Sequence, residues 1–165
     1  MDSTTFIADV SVAILLALTV AAGASENHET TYLPDATASK AASVTQGGEA
    51  AANFTVLTRA VAIKETGPQE TIEHFGEVYA FSPSVLIVHR DEPTEISFWN
   101  LQPDDEHDFM LADPQFNVLM RVMLSPLKKT TYVFRFHRDG VFPFYCTMHQ
   151  PAMSGQILVL PPVTP

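Results

Sequence analysis

The chain has 165 residues, 46% of them apolar, enough for one packed core and too few for a second of comfortable size. Nineteen acidic against nine basic side chains give a net charge of −10, which repels phosphate backbones, excludes nucleic acid as a natural partner and favours basic ones. Twelve prolines and eleven phenylalanines suit short strands joined by punctuated turns better than long helices.

The first element is an apolar run, VSVAILLALTVAAGA from Val10 to Ala24, in which Ala22-Gly23-Ala24 fits a small-residue cleavage pattern ahead of Ser25. Residues 1–24 are expected to be a signal peptide or, if uncleaved, a membrane anchor. The basic head usual in such segments is missing, since only Asp2 and Asp9 are charged before the run. Phe6 to Ala24 gives 19 residues with Asp9 among them, against the roughly 20 apolar residues that a spanning helix needs. Either outcome places the body outside the cytoplasm, in a periplasm or its equivalent, with membrane contact only through this segment. Residues 25–70 are expected to be a low-complexity spacer followed by an ambiguous segment. As far as Ala52 they are dominated by Ala, Thr, Ser, Glu and Gly and offer little surface to bury. The following NFTVLTRAVAIKE, Asn53 to Glu65, fits an amphipathic helix or a strand equally well.

From Glu77 the pattern sharpens into β-rich runs: EVYAF, SVLIVH and TEISFWN, with Ser82-Pro83 and Arg90 to Pro93 as turns. After a loop from Leu101 to Glu106 come DFMLA, VLMRVML, TTYVFRFH, VFPFYC and GQILVL. Eight candidate strands at this density predict an all-β fold, a Greek-key β-sandwich over residues 71–162.

The chemistry lies between the last two strands. Phe144-Tyr-Cys146-Thr-Met-His149-Gln-Pro-Ala-Met153-Ser-Gly155 sets a thiolate, an imidazole and a thioether within eight residues. Thiolate with imidazole and a weak thioether favours copper that can cycle between Cu(I) and Cu(II), whereas zinc prefers four strong ligands and seldom takes Met. A second imidazole completes the set, and His107 stands at a loop-to-strand junction 39 residues before Cys146. The candidate ligands are therefore His107, Cys146, His149 and Met153, for one copper per chain. Cys146 is the sole cysteine, so no internal disulfide exists, and ligation would keep its thiol from free-thiol chemistry in an oxidising compartment. His28, His74, His89 and His137 lack partners at ligand spacing and are expected to be solvated or turn residues. Met110, Met120 and Met123 fall on apolar strand positions and are expected in the core.

In type and order these residues resemble the cupredoxin family, whose mononuclear sites take a His from an upstream strand end and then a Cys–His–Met loop. Residues 77–160 also resemble the cupredoxin domains of nitrous oxide reductase and of subunit II of cytochrome c oxidase. That likeness rests on VYAFSPS, the strand ending in Asn100, His107-Asp-Phe109, FPFYC146 and Met153-Ser-Gly155. Those relatives bridge two coppers with two cysteines; one Cys here implies a mononuclear site. The Cys-to-His spacing of three matches plastocyanin and amicyanin, and the His-to-Met spacing of four lies between theirs.

Asp108 follows the upstream His and Thr147 follows the Cys, so a hydrogen bond between them is expected to tie the two ligand segments together. Many cupredoxins have Asn in place of this Asp, and an ionised Asp108 is expected to favour Cu(II) and lower the potential. The resemblance implies an electron-transfer protein, not an enzyme, because four protein ligands leave no open position on the metal. It also implies an apolar docking collar around His149 that includes Phe142, Phe144, Met148 and Pro151. Asp104-Asp105-Glu106 would steer a basic redox partner, such as a c-type cytochrome or a terminal reductase or oxidase. A copper delivery or assembly module, and a cupredoxin with an open catalytic copper, are the competing readings.

Overall fold

The computed structural model describes residues 31–33 and 39–163. Ten strands, β1 (Ala42–Thr45), β2 (Ala52–Ala62), β3 (Val78–Ser82), β4 (Val85–His89), β5 (Thr94–Asn100), β6 (His107–Ala112), β7 (Val118–Leu124), β8 (Lys129–Phe136), β9 (Gly140–Tyr145) and β10 (Ser154–Leu160), and one helix, α1 (Gln69–Phe75), follow in chain order. They form two five-stranded sheets, β1-β8-β5-β2-β3 and β4-β10-β9-β6-β7. Most neighbours pair antiparallel, but β2 runs parallel to β5 and β4 parallel to β10. This is the all-β sandwich expected from the strand pattern, and all eight strands read from residue 77 onward are present.

The core lies between the sheets and follows the period of two along each strand. β9 sends Phe142 and Phe144 inward, and β6 sends His107, Phe109 and Leu111 inward; all five are essentially inaccessible to solvent. Phe109 is the hub, its ring centroid 4.4 Å from that of Phe98 and 5.2 Å from that of Phe144. Edge-to-face contacts such as Phe81 on Phe144, at 5.4 Å, each add on the order of 1 kcal/mol beyond the area they bury. Met120 is buried in this core, whereas Met110 and Met123 are half-buried on the outer face of the second sheet, so the expectation of three core methionines holds for one.

The sandwich begins earlier than residue 71. Segment 25–70 contains β1, in the stretch read as a spacer, and the eleven-residue β2, in the stretch left open between helix and strand, which is hydrogen-bonded to β5 on one side and β3 on the other. Low apolar content hid β1, which buries only Ala42 and Val44; β2 buries Val56, Thr58 and Ala62, with Phe54 and Ile63 packed against the core. Asn53 to Glu65 resolves as strand, and α1 follows it with no buried residue at all. Residues 1–24, with the expected signal or anchor, lie outside the described residues, as does His28.

Candidate metal centre

The β6–β9 pairing builds the site. These strands are antiparallel with Met110 opposite Tyr145 and Leu111 opposite Phe144. Extending that register past the end of the ladder sets Asp108 opposite Thr147 and Phe109 opposite Cys146. Inward alternation then turns both His107 and Cys146 into the sandwich interior at the same end of the molecule. Beyond Cys146 the chain makes a tight loop, in which Cys146 N–H donates to Met153 O (2.9 Å) and Met153 N–H donates to His149 O (3.0 Å). The loop closes on Gly155, where a Cβ would stand 2.2 Å from Ser84 O and 2.4 Å from the Phe144 ring, so no larger residue fits the return into β10.

The result is a convergence of three donors. One ligand atom each from His107, Cys146 and His149 lies within 4.8 Å of the other two. Nδ1 of His107 is 3.1 Å from Nδ1 of His149, which is 3.5 Å from Sγ of Cys146. His107, Cys146 and Met153 are fully buried and His149 is half-buried, so one imidazole edge reaches the surface. Met153, the fourth candidate, sits in the same loop with its backbone tied to both Cys146 and His149. His74, His89 and His137 stand outside this group. His137 is not simply solvated, since its ring lies 3.2 Å from both Ser43 Oγ and Asp91 Oδ1.

Electrostatics fit a cation at this point. Burial, reinforced by His149, lowers the His107 pKa to about 4, and burial also lowers that of His149. Both rings are therefore neutral near pH 7 and offer lone pairs. Burial raises the Cys146 thiol to about 11, so a bound metal ion would take the place of the thiol proton. Two neutral imidazoles and one thiolate, with a thioether residue in the same loop, form the donor chemistry that suits copper.

Asp108 is the best-held group around the site. Fully buried, it accepts hydrogen bonds at 2.6 Å from Thr147 N–H, from Thr147 Oγ1–H and from Arg121 Nε–H. Burial alone would raise its pKa, but the bonds from Thr147 and Arg121 outweigh that and hold it below the ordinary value. Arg121 lies diagonal to Asp108 across the β6–β7 ladder, where Asp108 faces Met123. The expected hydrogen bond between Asp108 and Thr147 is present, and Arg121 pairs with the same carboxylate.

Two further corrections concern the surface. Phe142 and Phe144, expected in a docking collar, are fully buried. The period of two requires this: if Cys146 turns inward at the end of β9, so do the residues two and four before it. Met148 and Pro151 are exposed, and with Ala152, Val78 and Phe75 of α1 they line a groove of about 330 Å³ that reaches His149.

Sequence reasoning missed Tyr79, Gln102, Thr58 and Arg121. Tyr79 packs edge-on against both imidazoles, 4.8 Å from the His107 centroid and 4.6 Å from that of His149, and donates its hydroxyl proton to Asp105 at 2.5 Å. Its inward parity with Phe81 on β3 was the available signal. Arg121 also gave one, as a lone charge inside VLMRVML. Gln102 sits in an irregular loop and gave none.

A β-sandwich holding a buried His–Cys–His donor set at one end defines a metal-binding protein of the blue-copper type of fold. The family model for the cupredoxin-like domain matches residues 11–159, and the chain belongs to that family. Among solved structures it is similar to auracyanin B, at 15% identity over 74% of this chain and 100% of that one, with a TM-score of 0.52. It is also similar to a multicopper oxidase, at 14% identity over 68% of this chain and 45% of that one, with a TM-score of 0.52. At such identities the likeness shows the fold. No protein of curated description matches the chain in sequence.

Proposed function

We propose that this protein is an extracytoplasmic mononuclear copper protein that passes single electrons between redox partners. The observation that carries the reading is the buried convergence of His107 Nδ1, His149 Nδ1 and Cys146 Sγ, with Met153 in the same closed loop. Copper, when bound, supplies the one-electron chemistry; the protein supplies a preformed, largely buried donor set. A set already gathered, on strands fixed by ladders and a packed aromatic core, lets the metal change charge without large rearrangement of its surroundings. His149 is the donor nearest the surface and the natural exit for an electron.

The groove beside His149 gives a partner its apolar footing, through Phe75, Met148, Pro151 and Ala152, with Phe75 75% exposed. Glu77 lines the same groove, and the chain as a whole carries −10. A partner with a basic rim around its own redox centre, as in a c-type cytochrome, is the complement. The apolar run at Val10 to Ala24 supports export as the route to such a partner.

The test is a Cu(II) titration of the purified protein followed by visible and EPR spectroscopy. One copper per chain, an intense thiolate-to-copper band and narrow hyperfine splitting are expected. A weak band with ordinary splitting would instead identify an open or carrier site, and a mixed-valence pattern would mean that two chains share a dinuclear centre.

A further inference from the structure

A buried polar cluster lies beneath His107 and takes no part in ligation. Gln102, 8% exposed in the loop between β5 and β6, places Oε1 3.2 Å from His107 Nε2 and 2.5 Å from the hydroxyl of Thr58 on β2. Thr58 is itself buried and accepts the N–H of Leu101 at 3.1 Å. Its single proton has two oxygens in reach, Gln102 Oε1 and Asn100 Oδ1, the latter at 2.8 Å. Asn100 has its orientation fixed, because its amide group donates to Asp105 O (2.7 Å) and Leu124 O (2.8 Å). Its Oδ1 already receives the N–H of Gln102 at 3.0 Å. The Thr58 proton is thus free for the closer oxygen, that of Gln102, which fixes which end of this amide faces the imidazole.

An amide oxygen only accepts, so the ring nitrogen it faces must carry a proton. We propose that Gln102, anchored by Thr58, is a positioning residue for His107: its oxygen holds the imidazole in the Nε2–H tautomer and turns the Nδ1 lone pair toward Cys146 and His149. The opposite tautomer would put a proton on Nδ1, where the donor atoms converge, and the ring could not ligate without losing it. β2, absent from the ligand set, contributes to the site in this way through Thr58. The consequence for metal binding rests on the copper reading above, but the tautomer is a property of the metal-free protein and stands apart from it.

The experiment records long-range ¹H–¹⁵N correlation spectra of the metal-free full chain near pH 7, with Cu(I) and Cu(II) affinities measured separately. It uses the wild type, Gln102→Leu, Gln102→Glu and Thr58→Val. Leucine fills the space of the glutamine without an acceptor, glutamate restores the acceptor, and valine removes the hydroxyl that anchors Gln102 and accepts the Leu101 N–H, with little change of shape. The expected wild-type signal is a protonated Nε2 and a bare Nδ1 on His107. Gln102→Leu should show mixed tautomers and roughly 10-fold to 100-fold weaker copper binding, the usual effect of losing a group that orients a ligand. Gln102→Glu should keep the single tautomer, and Thr58→Val should fall between. A wild-type His107 protonated on Nδ1 overturns the proposal, as does an unchanged tautomer in both Gln102→Leu and Thr58→Val. Tautomers that shift as expected in a protein that binds no copper would support the positioning role and defeat the copper reading instead.

Discussion

One buried ion pair contributes to the charge around the candidate metal position, alongside Asp105. Asp108 and Arg121 meet at 2.6 Å with the carboxylate fully buried, so the pair brings no net charge to the thiolate's neighbourhood. Replacing the carboxylate by an amide takes a negative charge from beside the thiolate and disfavours Cu(II). In the copper-loaded protein Asp108→Asn is therefore expected to raise the reduction potential on the order of 40 mV, the one-electron equivalent of about 1 kcal/mol. The double variant Asp108→Asn/Arg121→Met should return close to the wild-type value, because contacting residues are not additive. Protein-film voltammetry on the two variants checks this, and equal shifts in single and double variants would show that the charge balance is not what matters.

At the scale of the element, one carboxylate joins two backbone hydrogen bonds in holding the β6–β7 turn. Asp113 Oδ1 accepts the N–H groups of Gln115 (2.8 Å) and Asn117 (2.9 Å), and its Oδ2 accepts the Asn117 side-chain amide (2.9 Å). These bonds pin a turn in which Phe116 takes a left-handed conformation, φ 63°. Losing three hydrogen bonds to a charged acceptor, Asp113→Ala should cost about 1–3 kcal/mol at neutral pH, read as a lowered urea midpoint. Burial would raise the Asp113 pKa, but the bonds from Asn117 and Gln115 outweigh it and lower it in the fold. A folded pKa below the unfolded one contributes stability above the unfolded value, near 4, which is lost as pH falls through the folded value. The stability gap between wild type and Asp113→Ala should therefore be full at pH 7 and close progressively below about pH 4. A gap that persists undiminished in acid would place the cost in packing rather than in the carboxylate.

For the whole molecule, the sandwich depends on strands that the amino-acid pattern only faintly marks. β2 lies between β3 and β5, and its loss would leave two long ladders unpaired in the middle of one sheet. A chain begun at residue 71 is expected to stay unfolded, with poorly dispersed NMR spectra and no cooperative melt, while one begun at residue 31 folds. A dispersed spectrum from the shorter chain would mean that residues 71–162 form the folding unit after all. Charge acts at the same scale: with a net −10, association with a basic partner should slow as salt is added, since steering is screened within about 8 Å at physiological ionic strength.

The residue order alone determined the eight strands from β3 to β10, because each is a short β-rich run bounded by turn signals. It also determined the candidate donors, because Cys146, His149 and Met153 are crowded into one loop whose chemistry is local. Tertiary structure alone decided the rest. β2 is a strand because β3 and β5 pair with it, not because its own pattern demands it. Arg121, Tyr79, Thr58 and Gln102 reach the site through ladder register and loop packing, which join residues as far apart as Thr58 and Gln102. Phe142 and Phe144 turn inward because Cys146 does. A short-range pattern can record which residues share a face; only closure of the two sheets sets which faces meet.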